Sequence, residues 1–401
     1  MTASTTQFCH HPVPMSSPDL TNSEREAVMA VLHTPNLSMG KEILAFEQAI
    51  CDYTGAKHAL GVNSGTAGLH LCARAAGIRD GDWVLTTPFS FVASTNVILF
   101  ERAIPIFVDV DPRTGNIDPE CVRQAVSELF AGGEAARQWL PRTGLERRDT
   151  PRLKAILPVD VFGQPADMEP ILEVARNFDL KVIEDSCEAI GAKYKGRPAG
   201  RLGHYGVFAF YPNKQMTVGE GGVVVTDDDE AARIMRALRN QGRAPGDTWL
   251  QHTYLGYNYR LDEMSAALGR VQVARLDEML NKRELVARWY EERLAEIPGV
   301  EIPVVLQETT RMSWFVYVVR FSPGIDRDKV SGELKKRAIP NRPYFLPIHL
   351  QPYMTEKFGY REGDYPVTED LGRRGLALPF SGVMSEKDVK RVCEAIREVL
   401  M

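Results

Sequence analysis

HALGV (58–62), WVLTT (83–87), IPIFVDV (104–110), AILPVDV (155–161), KVIED (181–185), GVFAF (206–210) and GVVVT (222–226) decide the fold. These short apolar runs are mostly separated by helical patterns. Strand, helix, strand in repetition means right-handed crossovers and a mainly parallel sheet with helices on both faces. The expected architecture is an α/β protein whose large domain covers residues 13–254.

On the N-terminal side, Ser23 followed by Glu26 reads as a capping box opening a first helix. A second helix runs through KEILAFEQAICDYTG (41–55), where Ile43, Phe46, Ile50 and Tyr53 recur at helical spacing and Gly55 ends it. Residues 1–12, with Cys9, His10 and His11 in a Ser/Thr-rich stretch, read as a flexible tail. The polar, Gly-, Pro- and Arg-rich segment FAGGEAARQWLPRTGLERRDTPR (130–152) reads as a solvated surface excursion.

Beyond residue 254 the organisation changes, and residues 255–401 read as a smaller C-terminal α+β domain. Leu261, Met264, Leu268 and Val271 mark a long amphipathic helix. A strand at WFVYVVRF (314–321), a helix near DKVSGELKKR (328–337) and a closing helix from SEKDVKRVCEAIREVL (385–400) follow.

Composition narrows the function. A chain of 401 residues with 44% hydrophobic and 25% charged residues can bury a sizeable core. The net charge of −5 and pI near 6.0 supply no basic footprint for nucleic acid. The opening lacks a secretory pattern and no long apolar run suits a membrane span, so the expected location is cytoplasmic. The six cysteines are far apart without metal-site spacing, which reads as reduced, mostly buried thiols and no metal.

In open α/β sheets ligands gather where strands end and helices begin. NSGTAG (63–68) follows a strand and opens a helix. Its small residues and free N–H groups suit a phosphate, and equally suit a plain strand-to-helix turn. Asp185 ends the strand KVIED, where a buried carboxylate needs a positive partner or serves as a cap. Lys214, in FAFYPNKQMTVGEGG (208–222), lies 29 residues further on, far enough for its strand to return beside that carboxylate. Phe91, in PFSF (88–91), offers a ring for stacking or for core packing. Nucleophile, phosphate anchor and electronic tuner together are the set a pyridoxal-phosphate (PLP) site needs.

The segments NSGTAGLHL, TTPFSFVAS, IPIFVDVDPRTGNIDP, VFGQPADM, EDSCEAIGAKYKG, FAFYPNKQMTVGEGG and LGYNYRLDEMSAALGRVQ resemble, in order and spacing, the DegT/DnrJ/StrS family of sugar aminotransferases across residues 13–400. The resemblance implies the aspartate-aminotransferase-like fold (PLP fold type I). It also implies that Lys214 forms the internal aldimine, Asp185 pairs with the pyridine nitrogen, Gly65 and Thr66 bind phosphate, and Phe91 stacks on the ring. Asn258 matches a position that reaches a phosphate across a homodimer interface, so the site is expected to be shared between two subunits. The implied reaction transfers an amino group from an amino acid, L-glutamate by resemblance, to a nucleotide-linked keto sugar.

Two positions depart from the family pattern. Ala209 stands where a serine is common, which removes one phosphate hydroxyl and leaves Asn213 or Ser64 to compensate. Glu188 stands where a glutamine is common near the ring hydroxyl, and a carboxylate accepts a hydrogen bond there only if one of the two oxygens carries a proton. Relatives with histidine in place of the lysine remove a sugar hydroxyl instead, and Lys214 argues against that dehydratase chemistry.

Other readings are a metal-dependent glycosyltransferase, through the D-x-D of Asp109 and Asp111, and a PLP-binding regulator on the same fold. Arg243 and His349 are further candidate contacts for the sugar nucleotide.

Overall fold

The computed structural model describes residues 13–144 and 152–401. The expected tail over 1–12 lies outside the described residues, as does 145–151 of the excursion.

The first nine strands are β1 (His58–Val62), β2 (Trp83–Thr86), β3 (Ile104–Phe107), β4 (Leu153–Leu157), β5 (Lys181–Asp185), β6 (Lys193–Tyr194), β7 (Arg197–Pro198), β8 (Tyr205–Ala209) and β9 (Gly222–Thr226). The main sheet runs β1-β9-β8-β5-β4-β2-β3. Pairing is parallel from β3 through β2, β4 and β5 to β8, whereas β9 is antiparallel to both β8 and β1. The β8–β9 connection, 210–221, contains no crossover helix, so the chain turns back on itself and β9 runs the other way. That return suspends Lys214 beyond the C-terminal end of β8, beside β5, where Asp185 pairs with Val207.

The first helix spans Asn22–Leu32, and its capping box is Thr21 with Glu24, two residues before the expected pair. Both pairs fit the pattern. Glu24 prevails because its carboxylate also accepts hydrogen bonds from Gln272 (2.8 Å) and Arg275 (2.6 Å), which tie the helix start to the body.

The long amphipathic helix expected after Leu261 is two helices, Glu263–Ala274 and Leu276–Leu294, joined at Arg275. The first packs Ala266, Ala267 and Val273 inward, leaving Met264, Leu268 and Val271 half-buried. Gly269 admits the ring of Phe46: a Cβ there would lie 2.7 Å from it. Leu261, Ala266, Val273, Leu276, Met279 and Leu280 share one apolar cluster with Ile43, Phe46, Val223 and Val225, so the core of the main sheet extends past residue 254.

Further along, β10 (Val300–Glu301), β11 (Thr309–Arg311), β12 (Tyr317–Phe321) and β13 (Gly375–Leu378) follow. Strands β10, β12 and β13 form an antiparallel sheet, while β11 joins the ribbon of β6 and β7. Tyr290, Tyr317, Val319, Phe321, Val392 and Ile396 build a separate core between this small sheet and its helices. Between β12 and β13 the chain revisits the large body, where Phe345 and Leu371 join the cluster of Val84 and Ile183.

Candidate active site

A cleft of about 390 Å³ opens at the C-terminal ends of β5 and β8. Ser64, Gly65, Thr66, Phe91, Asp185, Glu188, Asn213 and Lys214, all named from sequence, line it together.

The helix Gly65–Ala75 presents its N-terminus to the cleft, capped by the Ser64 hydroxyl, which accepts from the Ala67 N–H at 3.0 Å. That acceptance leaves the hydroxyl proton free to donate to an anion, reinforcing the exposed N–H groups of the first turn. Gly65 is required by space: a Cβ would sit 2.7 Å from the Ala209 Cβ and 2.9 Å from the Cys187 sulfur. Ala209, with no hydroxyl, is therefore part of what lets this helix start approach β8.

Asp185 is 5% exposed. Its carboxylate accepts from the Ser94 hydroxyl at 2.8 Å and the Cys187 N–H at 3.2 Å, and no cationic side chain pairs with it among the described residues. A buried carboxylate in this state is electrostatically incomplete, and a protonated ring nitrogen of a ligand in the cleft would complete it. The Asn213 side-chain oxygen is likewise buried without a partner among the described residues. The donor set, the close-packed helix start and these two unfilled groups fit PLP.

The Lys214 amine lies 3.4 Å from a Glu188 oxygen and 3.7 Å from the centroid of the Phe315 ring. The second Glu188 oxygen accepts the Phe162 N–H at 2.9 Å. Burial pushes the Glu188 carboxyl above the usual carboxylate range, opposed by the charge of Lys214 and the Phe162 N–H. Phe162 holds this position with φ +58°, a left-handed conformation uncommon for a side-chain-bearing residue. Burial likewise raises the neighbouring Cys187 thiol well above its ordinary value, so it is not poised as a nucleophile.

Several residues in the lining or directly behind it were not anticipated. Ser94 stands one helical turn after Ser90, its hydroxyl 2.9 Å from that of Ser90, and the spacing within TTPFSFVAS was a signal for it. Phe315, Arg342, Tyr344 and Phe345 come from distant segments brought in by the small-sheet region, and nothing local marks them.

Three candidates lie elsewhere in a single copy of the chain. His349 is fully buried, 3.0 Å from Glu369 and edge-on to Tyr365, so it packs the interior and does not line the cleft. Arg243 stacks its guanidinium 4.5 Å from the Trp249 ring and donates to the Trp249 carbonyl at 2.9 Å, also outside the cleft. Asn258 is exposed and outside the lining, its carbonyl accepting from the Asn63 amide at 3.2 Å. The oxygens of the D-x-D motif are engaged: Asp109 accepts the N–H groups of Val367 and Thr368, and Asp111 pairs with Arg113 at 2.8 Å.

The family model described as the DegT/DnrJ/EryC1/StrS aminotransferase family matches residues 18–397. GDP-perosamine synthase of Caulobacter vibrioides is 38% identical over 392 residues, covering 97% of this chain and 98% of that protein. A pleiotropic regulatory protein of Geobacillus stearothermophilus is 36% identical over 371 residues, covering 92% of each. Among solved structures, S. venezuelae DesV in complex with a ketimine intermediate superposes with a TM-score of 0.85 at 32% identity, covering 97% of this chain and 98% of that one. On the match along nearly its whole length, the chain belongs to the DegT/DnrJ/EryC1/StrS family of aminotransferases.

Proposed function

We propose that this aminotransferase binds pyridoxal 5'-phosphate covalently through Lys214. It then moves an amino group from an amino acid, L-glutamate foremost, to the carbonyl of a nucleotide-linked keto sugar. The observation that carries the cofactor assignment is Asp185, a buried carboxylate without a cationic partner, in one cleft with Lys214 and the capped helix start. The name GDP-perosamine synthase, borne by a relative covering nearly the whole chain, supports a nucleotide-linked sugar as acceptor.

Bound there, the cofactor supplies an electron sink for the pair released when a proton leaves the substrate carbon. The chain's own residues do the rest. Asp185 keeps the ring nitrogen protonated, and Ser94 and the Cys187 N–H hold that carboxylate in place. Ser64, Gly65 and Thr66 would hold the phosphate at the helix start, and Phe91, 63% exposed at the cleft mouth, would cover the ring. With the cofactor bound, the Lys214 amine would serve as the base that takes and returns a proton at the substrate carbon. Glu188 faces that amine at 3.4 Å and would meet the ring hydroxyl of the bound cofactor, which requires one proton between the two oxygens.

We further propose a homodimer in which Asn258 reaches the partner's phosphate, in keeping with its exposure and its place outside the lining of its own cleft. Trp249 and Leu250, 78% and 84% exposed on the neighbouring loop, are suited to cover by a second copy. We place the enzyme in the cytoplasm, in keeping with the free state of the described cysteines. No helix among the described residues is long and apolar enough to cross a membrane. The regulatory name of one relative makes a cofactor-binding regulator the second reading, separated from the first by turnover with an amino donor.

Borohydride reduction of the loaded protein followed by peptide mapping tests the assignment. The expected result is a pyridoxyl adduct on Lys214, and an adduct on another lysine would overturn it.

A further inference from the structure

Arg283 is 3% exposed, yet among the described residues its hydrogen bonds end on main-chain carbonyls and none on a carboxylate. One arm donates to the carbonyls of Trp314 (3.2 Å) and Phe315 (3.1 Å). The other donates to those of Asn213 (3.3 Å) and Lys214 (2.5 Å). Burial pushes the guanidinium down to about 10, which leaves it cationic at neutral pH. A buried cation that touches no carboxylate, with Asp19 acting on it only through space, is unfavourable unless its hydrogen bonds do something an apolar side chain cannot.

We propose that Arg283 is a positioning residue for the cofactor lysine, tying the main chain of Asn213 and Lys214 to that of Trp314 and Phe315. This rests on the reading that Lys214 carries the cofactor. The Lys214 carbonyl lies in the helix-free β8–β9 connection, where no strand ladder supplies a donor, and Arg283 fills that role. Phe315, held by the other arm, places its ring 3.7 Å from the same lysine's amine. Its N–H donates to the Phe162 carbonyl at 3.3 Å, and the Phe162 N–H donates to Glu188, which returns to the Lys214 amine. The circuit Lys214, Arg283, Phe315, Phe162, Glu188 thus closes around the nucleophile.

The placement of Arg283 explains how one residue can do this. On the helix Leu276–Leu294, Leu276, Met279 and Leu280 sit in a core of the main sheet, and Val286, Ala287 and Tyr290 in that of the small sheet. Arg283 falls between them, at the junction where the lysine loop meets the segment entering β12. Only a planar, two-armed donor spans both segments; a lysine ammonium reaches one. Amine and aromatic floor are fixed in one geometry, so a lysine that detaches during each cycle returns to the same place.

The test uses the full chain loaded with PLP, comparing Arg283→Met and Arg283→Lys with the parent. In Arg283→Met, cofactor release on dilution should accelerate roughly tenfold or more, as expected for loss of charged hydrogen bonds. The visible circular dichroism of the bound cofactor, which reports its fixed orientation, should shrink in the fraction that remains folded and loaded. Arg283→Lys should fall between the two proteins. Release within about twofold of the parent and an unchanged dichroic band in folded Arg283→Met would overturn the proposal, since losses of this size lie within ordinary context scatter. If Arg283→Met does not fold, Arg283→Lys decides: faster release supports the clamp and unchanged release refutes it. A parent protein not labelled at Lys214 by borohydride would instead refute the reading of the site, a result distinct from labelled proteins whose release rates agree.

Discussion

Replacing Asp185 by asparagine should move the apo and loaded proteins in opposite directions. In the apo cleft the carboxylate has two donors, Ser94 and the Cys187 N–H, and no cation. Asparagine keeps an acceptor for the Cys187 N–H, and the Ser94 hydroxyl can rotate to accept from the new amide. Each bond weakens by about 1 kcal/mol on passing from a charged to a neutral acceptor. Removing an unpaired buried charge offsets that loss by roughly several kcal/mol, the part of the desolvation penalty that survives relaxation and water penetration. The apo protein should therefore be as stable as the parent or more so, by up to about 2 kcal/mol. With cofactor bound the variant lacks the partner of a buried cation, a defect of about 3–5 kcal/mol, which is roughly a hundred- to several-thousand-fold in the rate at which an amino donor bleaches the cofactor. Calorimetry of the apo proteins and stopped-flow bleaching of the loaded ones measure the two arms. A variant that bleaches within about tenfold of the parent, while its apo form is destabilised, would show Asp185 to be a structural residue and refute the reasoning.

Gly65→Ala drives a Cβ to 2.7 Å from Ala209 and 2.9 Å from Cys187, both unable to retreat, so PLP affinity in a fluorescence titration should fall by about 1–3 kcal/mol; parent-like affinity would show the helix start to be uninvolved. Burial pushes Glu24 up, but hydrogen bonds from Thr21, Arg275 and Gln272 outweigh it and hold the carboxyl at about 2, below its ordinary 4.5. Because the folded value is the lower one, the stabilisation of about 3 kcal/mol is fully present above pH 4.5 and is lost as pH falls towards 2. Glu24→Gln should lack that slope in acid denaturation, and an unchanged slope would contradict the assignment. Mixing inactive Lys214→Ala with an inactive Asn258→Ala protein should restore activity through hybrid dimers, and a fully active monomer would exclude the shared site.

The residues most legible in the sequence are those whose role follows from place in a strand–turn–helix unit. Gly65, Asp185 and Lys214 stand at or just beyond the C-terminal ends of β1, β5 and β8, and that local grammar is enough to bring them to one end of the sheet. Phe315, Arg342 and Tyr344 were out of reach because they arrive through the packing of the small sheet, with no turn or spacing to mark them. His349 is expected from sequence to contact the sugar nucleotide, but its surroundings, Glu369 and Tyr365, are set by a tertiary fold that periodicity does not reveal. The cap at Thr21 was a contest between two overlapping patterns, settled by Arg275 and Gln272 from far along the chain. The Met264, Leu268 and Val271 stripe misled because the helix buries its alanine and glycine face, where small residues let its neighbours approach.

The central claim is amino transfer through a cofactor on Lys214 to a nucleotide-linked keto sugar, and two additions to one cuvette test it most directly. L-Glutamate alone should bleach the visible band of the loaded protein and release one equivalent of 2-oxoglutarate per chain, because the donor must leave before the acceptor enters the same site. A nucleotide keto sugar added next should restore the band and yield the amino sugar. Failure of every common amino donor to bleach the band would contradict transamination itself. Bleaching that no nucleotide keto sugar reverses would contradict the acceptor.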